Sequence, residues 1–370
     1  MTYPPTVICH LTLGRASKLL DALKTITNIE LIYFPVDPYE PAVNRLRTLF
    51  SALRETIRNR PTVLISDGTG PYVLILLLAA KINRKARFIA RLRGDIWSAF
   101  QFERQHSESL LLRFRAQRNL ALSRTIIGQS DLVFPVSKFL GEIAISETGI
   151  DRRKVIPVPT TLPLAKFRPL DSSEELSNLR SALGIAPSGH ILFSLTNFDY
   201  YQKTIVMTEF CPVLNALHEQ GVDVTWVIGG SGIYMEEVRE KICEQVLKPE
   251  CVKFLGHVQR PEQWYQASDL FVHYTELDSL GNVLIEAGAC GKPVLANDYG
   301  PLHEVVIHNV TGFLVDKSRP HEVALLCQKL LTSPEDRKRI GAAARNYIVG
   351  TFSPQAVGLR ISTIIDGLGI

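Results

Sequence analysis

The stretch D-S-L-G-N-V-L-I-E-A-G-A-C-G-K-P-V-L-A, residues 278–296, sets one carboxylate, Glu286, between Val283-Leu284-Ile285 and Ala287-Gly288-Ala289. The preceding L-F-V-H-Y (270–274) reads as a strand, 275–279 as a loop, Ser279 as a helix N-cap, and 280–290 as a helix stopped by Gly291 and Pro293. Glu286 then lies about two turns inside the helix, with Asp278 at its mouth. An ionised carboxylate in such surroundings needs donors, because leaving it unpaired costs several kcal/mol. The two hydroxyls of a ribose would suit, and the amides of Gly281, Asn282 and Val283 at the helix start would face a phosphate. The competing reading is a buried ion pair of Glu286 with Lys292 or an arginine.

Outward from this helix, short apolar runs alternate with helical stretches. V-I-C-H (7–10), I-E-L-I-Y-F (29–34), T-V-L-I-S (62–66), R-F-I-A-R (87–91), L-V-F-P-V (132–136) and V-I-P-V (155–158) each read as a buried strand. After a proline-rich connection the rhythm restarts at 191–195, 224–228, 252–255, 270–274, 293–296 and 312–315. Strands that alternate with helices and are apolar on both faces predict two doubly wound parallel sheets. The expected division is an N-terminal domain over 1–168, a C-terminal domain over 169–345, and a helical segment over 346–370 packing back on the first domain.

Open parallel sheets bind ligands beyond the carboxyl ends of their strands. The residues there are Gly14, Asp67, Arg93-Gly94-Asp95 and Ser137-Lys138 in the first half. In the second they are Asn197 and Lys203, Gly229-Gly230-Ser231-Gly232, His257-Val258, and 275–282. Gly230 stands in a G-G-S-G run that lacks the full dinucleotide fingerprint, so a plain strand-to-helix turn competes with phosphate binding. Lys203 is either a solvated surface charge or a phosphate ligand.

The chain has 370 residues, 46% hydrophobic and 21% charged, a composition that excludes disorder and suits two domains. Its one strongly apolar run, 73–80, is too short to span a bilayer. The first ten residues show no signal peptide, and the six cysteines lack metal-ligand spacing, so a reduced cytoplasmic protein without structural zinc is expected. His10, His106 and His273 have no ligand spacing and read as structural. Residues 1–168 carry 25 Lys+Arg against 13 Asp+Glu, a net of +12, and residues 169–370 carry 16 against 24, a net of −8. The basic half predicts an anionic partner.

These residues resemble the E-G-F-G-x-x-x-x-E-A-M-A-x-G-x-P-V signature of retaining glycosyltransferases of family 4, the glycosyl transferases group 1. V-K-F-L-G-H-V (252–258), A-S-D-L-F-V (267–272), G-P-L-H-E (300–304) and N-V-T-G-F-L-V (309–315) look like that family's second-domain landmarks, in order. The resemblance implies a GT-B fold, two Rossmann-like domains facing across a cleft, and metal-independent sugar transfer with retention from a UDP- or GDP-linked donor, without a cofactor. By position, Glu286 would bind the ribose. Lys203, Gly230 and the Gly281-Asn282-Val283 backbone would bind the diphosphate, His257-Val258 the base, and Asp278 the donor sugar. Asn197 stands where the family usually has an arginine, so one positive charge on the leaving group is missing; Arg91, Arg93 or another residue across the cleft is the expected substitute. Asp95 is a sugar- or acceptor-facing candidate whose alternative is a helix N-cap, and Gly14 is all that remains of an N-terminal glycine pair. A glycan or lipid-linked acceptor is implied. The alternatives are a non-catalytic nucleotide-sugar-binding partner and a GT-B epimerase or phosphorylase.

Lys81, Arg84, Lys85, Arg87, Arg91 and Arg93 crowd one region, and Arg113, Arg115, Arg118 and Arg124 recur among leucines in L-L-L-R-F-R-A-Q-R-N-L-A-L-S-R. This pattern predicts peripheral attachment to an anionic membrane surface at the inner face of the cell membrane, not nucleic acid binding. In the competing reading Leu110, Leu111, Phe114 and Leu122 pack in the core and the arginines form a solvated face.

Overall fold

The computed structural model describes residues 6–13, 18–27, 29–36, 42–59, 61–70, 73–82, 86–107, 109–185 and 189–368. The chain divides into two units, Met1–Thr161 with Pro354–Ile370, and Leu162–Ser353. The second crossing between them falls where the helix Pro334–Phe352 ends and Pro354 starts the next. Proline at a first helical position forces its predecessor out of helical geometry, and Ser353 is accordingly extended at φ −66°, ψ 152°.

Unit 1 holds a five-stranded parallel sheet of β1 (Thr6–Leu13), β2 (Ile29–Val36), β3 (Val63–Asp67), β4 (Arg87–Leu92) and β5 (Leu132–Pro135), in the order β2-β1-β3-β4-β5. Its core joins Val63, Ile65, Ile89 and Phe134 to Leu19 and Leu23, and to Val357, Ile361 and Ile365 of the C-terminal helix Pro354–Asp366. The expected sixth strand at 155–158 is absent. Ile156 and Val158 donate to the carbonyls of Val133 and Pro135 at 2.9 and 2.8 Å, but the segment makes only one isolated bridge, Val133 with Val155. Pro135 has no N–H to return, so the ladder cannot continue.

Unit 2 holds a six-stranded parallel sheet in the order β11-β10-β9-β6-β7-β8. Its strands are β6 (His190–Leu195), β7 (Val224–Gly229), β8 (Val252–Gly256), β9 (Leu270–His273), β10 (Val294–Asn297) and β11 (Gly312–Val315). All six runs read from the sequence are strands; five are largely buried, as their continuous apolar pattern implies, and the edge strand β8 carries the exposed Lys253. Order reverses at β6, flanked by β7 and β9, which makes the loops after β6 and β9 the place to seek a ligand site.

The crowd of cations expected in unit 1 is dispersed. Arg91 is buried, Arg87 lies 3.7 Å from Asp131, and Arg93 Nε lies 3.0 Å from Asp67 Oδ1. Arg84 and Lys85 are outside the described residues. Along the helix Leu110–Gly128, Ala116, Leu120, Ile126 and Ile127 face the core. Its first turns do not: Leu110, Leu111 and Phe114 are 78%, 76% and 71% exposed, contrary to the reading that packed them inside. No described helix is long and apolar enough to cross a membrane.

Candidate functional site

The helix at the centre of the sequence reading runs Asn282–Ala289. Its N-cap is Gly281, not Ser279, because Gly281 takes the left-handed conformation at φ 88°. A side chain there would be strained, and its Cβ would press to 3.0 Å from Leu284 and Leu302. Asp278 organises this turn: its Oδ1 accepts from the amides of Ser279, Leu280 and Gly281 at 2.8, 3.4 and 3.0 Å.

The other oxygen of Asp278 brings two basic groups together. Lys203 Nζ, from the short helix Tyr201–Thr204 after β6, lies 3.5 Å from Oδ2, and His273 Nε2, at the end of β9, also lies 3.5 Å away. Lys203 is therefore an ion-paired lysine rather than a solvated surface charge. Burial alone would push the Asp278 carboxyl up. The contact with His273, the charge of Lys203 and the Gly281 amide outweigh it and hold the group well below the usual carboxylate range. As placed, Asp278 positions Lys203 and the turn; the expected direct contact with a donor sugar would have to share these partners.

Glu286 sits one helical turn beyond Asn282 on the same face, roughly 6 Å along the axis. Its Oε2 accepts from the buried phenol of Tyr265 at 3.0 Å. Burial and the adjacent Glu286 charge raise the Tyr265 pKa well above its ordinary value, so the phenol stays a donor. The amine of Lys292, the sequence's candidate partner for Glu286, donates instead to Ser268 O at 2.9 Å. Arg345 donates to Ala289 O at 2.7 Å and so caps the other end of the helix. Asn297 ties the loops after β9 and β10 together, accepting from Thr275 N at 2.8 Å and donating to Thr275 O at 3.0 Å.

Gly230 serves the site differently from expectation. Its N–H donates to Gly256 O at 2.8 Å rather than standing ready for a phosphate. At φ 132° it lets the β7 loop press on the β6 loop, where a Cβ would fall 1.9 Å from Thr196 O. Asn197 is exposed, with its Oδ1 accepting from Asp199 N at 2.9 Å, and it adds no cation. His257 is exposed and Val258 half-buried just after β8.

In unit 1, Asp95 is the N-cap of the helix Ile96–His106, accepting from Trp97 N and Ser98 N at 3.1 and 3.0 Å. Capping, the alternative weighed in the sequence, is what its bonds show. Arg91 donates to the carbonyls of Val158 and Pro159, both at 3.3 Å, with Nε 3.9 Å from the buried Asp67. As described, its guanidinium is committed inside unit 1, so the substitution expected of it for a missing surface cation does not hold; Arg93 is partly exposed but already beside Asp67. Gly14 lies outside the described residues. Among the described residues, no three or more of His, Cys, Asp and Glu are grouped so as to hold a metal ion.

Sequence reasoning missed Tyr265, Asn297 and Arg345, and it set His273 aside as structural. Tyr265 and Arg345 are distant in sequence from the helix they serve, and no spacing rule links them. The H-Y after a strand signalled His273 only weakly.

Two Rossmann-like parallel-sheet domains of this kind define the GT-B class. The fold is similar to that of Anabaena HepE in complex with UDP and glucose, at TM-score 0.69 and 18% identity over 97% of this chain and 99% of that one. It is similar also to sucrose-phosphate synthase from Thermosynechococcus elongatus, at TM-score 0.68 and 18% identity over 98% and 99%. Residues 177–347 match the family model of the glycosyl transferases group 1. Among curated relatives, D-inositol 3-phosphate glycosyltransferase of Jonesia denitrificans is 30% identical over 53% of this chain and 48% of its own length. N-acetyl-alpha-D-glucosaminyl L-malate synthase of Bacillus anthracis is 27% identical over 66% and 61%. Alpha-monoglucosyldiacylglycerol synthase of Streptococcus pneumoniae is 30% identical over 48% and 40%. The match spans about half the length of these relatives.

Proposed function

We propose that the protein is a glycosyltransferase that moves a hexosyl or N-acetylhexosaminyl group from a UDP- or GDP-linked donor to a glycan or lipid-carried acceptor, retaining anomeric configuration and using neither metal nor cofactor. One observation carries this reading. The amino terminus of the helix Asn282–Ala289, with Lys203 of a neighbouring loop ion-paired to Asp278 just before it, is followed one turn on by the half-buried Glu286, the order in which a nucleoside diphosphate presents phosphates and ribose. The UDP held by Anabaena HepE and the names of the relatives support a nucleotide-sugar donor. In this reading Lys203 and the Asn282-Val283 amides stabilise charge building on the departing diphosphate, an electrostatic contribution greatest in the transition state. Glu286 receives the ribose hydroxyls, Tyr265 holds it in place, and the His257-Val258 backbone meets the base.

Glu286→Gln keeps the size and removes the charge, so affinity for UDP or GDP should fall by roughly 1.5–3 kcal/mol in calorimetric titration. Unchanged affinity with weakened folding would reduce Glu286 to a partner of Tyr265. The metal-independent reading fails if EDTA abolishes transfer. A second reading, a nucleotide-sugar-binding protein without transfer, draws on the missing cation: Asn197 carries none and Arg91 is committed elsewhere. Nucleotide binding with no transfer or hydrolysis of any sugar would favour it.

The acceptor side adds a lipid surface. The exposed start of the helix Leu110–Gly128 combines Leu110, Leu111, Leu112 and Phe114 with the exposed Arg113, Arg115 and Arg118. Arginines near anionic lipid are each worth about 1 kcal/mol, and the apolar side chains below them add to binding in proportion to the area they bury. Sedimentation with phosphatidylglycerol vesicles should be lost in high salt and when the three arginines become Glu. Equal recovery in the supernatant with and without anionic vesicles at low salt would remove the membrane from this reading.

A further inference from the structure

The Asp278 carboxylate is shared by two bases that differ in one respect: Lys203 is partly exposed, and His273 is buried. His273 Nε2 faces Asp278 Oδ2 at 3.5 Å, a long contact, and has no closer hydrogen-bond partner. Its ring stacks on Phe271, and Asp278 and Lys203 are the charged groups that act on it. Burial is the leading cause that lowers its pKa from the ordinary value, with Lys203 acting in the same direction and Asp278 against it. In the free protein, then, Lys203 is the more exposed counterion of Asp278, and burial disfavours the charged form of His273.

We propose that His273 is a proton-accepting positioning residue: when a diphosphate draws Lys203 away from Asp278, His273 takes up a proton from solvent and replaces the lysine as the carboxylate's counterion. This rests on the nucleotide-sugar reading of the site. Two changes act in the same direction, since Asp278 loses a cation and the site gains an anion, and both raise the proton affinity of an imidazole 3.5 Å from the carboxylate. One proton enters and no covalent bond changes. The complex therefore holds more protons than its separated parts, and by linkage acid favours it. The consequence is that Asp278 keeps its grip on the Ser279–Gly281 turn, and so on the helix start, while the lysine is engaged elsewhere.

The probe is UDP-glucose, whose doubly substituted pyrophosphate exchanges no proton near neutrality, with GDP-glucose tried beside it. Titration calorimetry at about pH 6.5 in two buffers of different ionisation enthalpy should show uptake of a large fraction of one proton per nucleotide. Affinity should tighten as pH falls from about 8 to 6, by up to tenfold per unit. His273→Gln should bind with no uptake and a flat pH dependence; if that variant does not fold, His273→Asn and the wild-type uptake decide. Binding without uptake in the wild type overturns this proposal and leaves the nucleotide site intact. Binding by neither sugar nucleotide overturns the site reading, and this inference with it.

Discussion

Unit 1 and unit 2 are built on the same plan, a parallel sheet covered by helices, yet they use the charges at the carboxyl ends of their strands differently. In unit 1 the polar residues after β3 and β4 are turned on one another: Arg91 and Asp67 are buried, Arg93 leans on Asp67, and Asp95 caps a helix. In unit 2 the corresponding residues are held at the surface of the sheet. Asp278 gives one oxygen to a turn and the other to a partly exposed lysine, and Glu286 keeps one turn of helix between itself and the amide terminus. Closed ion pairs stabilise or specify a fold, whereas polar groups fixed at a rim by partners behind them are preorganised for a ligand. On the proposed reading the ligand chemistry belongs to unit 2, and exposed apolar and basic surface is the distinctive feature of unit 1.

The largest test of that contrast is Arg91→Ala. Removing a buried cation beside a buried Asp67 should destabilise unit 1 on the order of 3–5 kcal/mol, read as a shifted urea transition. A loss below about 1 kcal/mol would show that Arg93 alone satisfies Asp67, and the closed character of that end would be lost with it.

Unit 2 also holds a half-buried cation, just past the C-terminal end of the helix Asn282–Ala289, and its behaviour separates burial from function. Burial, outweighing the nearby Asp269, pushes the Lys292 pKa from 10.5 down to about 8. Above that pH the folded protein holds fewer protons than the unfolded chain, so this lysine makes stability rise with pH between about 8 and 10.5. Comparing wild type with Lys292→Met should isolate a difference on the order of 1 kcal/mol per pH unit in that window. A pH-independent difference would mean that Lys292 remains charged, donating to Ser268 as an ammonium.

The smallest expected effect belongs to Tyr265→Phe. It removes one donor from Glu286 while keeping the ring packed against Phe193 and Phe271. Nucleotide affinity should weaken by about 1 kcal/mol, less than for Glu286→Gln. An effect as large as that of Glu286→Gln would make the tyrosine itself a ligand contact.

Unit 2 was legible almost strand for strand, because a strand buried on both faces leaves a continuous apolar run that the eye can find. The 155–158 segment was misread for the same reason: its composition is that of a strand, and what stops it is the missing amide of Pro135 on its neighbour. Ser279 was misplaced as an N-cap since Ser is a good cap in general, whereas the left-handed turn at Gly281 and the three amides gathered by Asp278 depend on the loop's actual path. Arg91 was read as surface charge because arginines are mostly exposed, and nothing in R-F-I-A-R-L-R distinguishes the buried arginine from its exposed neighbour two positions on.

What the sequence by itself determined is the alternation of strands and helices, the carboxylate that needs a donor, and the lysine and glycines at strand ends. These depend on local periodicity and on residue chemistry, which neighbours in the chain suffice to reveal. Only the tertiary structure decided which charges are already satisfied. Whether Lys203 meets Asp278, Tyr265 meets Glu286, or Arg91 meets two carbonyls is settled by elements far apart in sequence, because a hydrogen bond or ion pair depends on distances of a few ångströms that no spacing along the chain encodes.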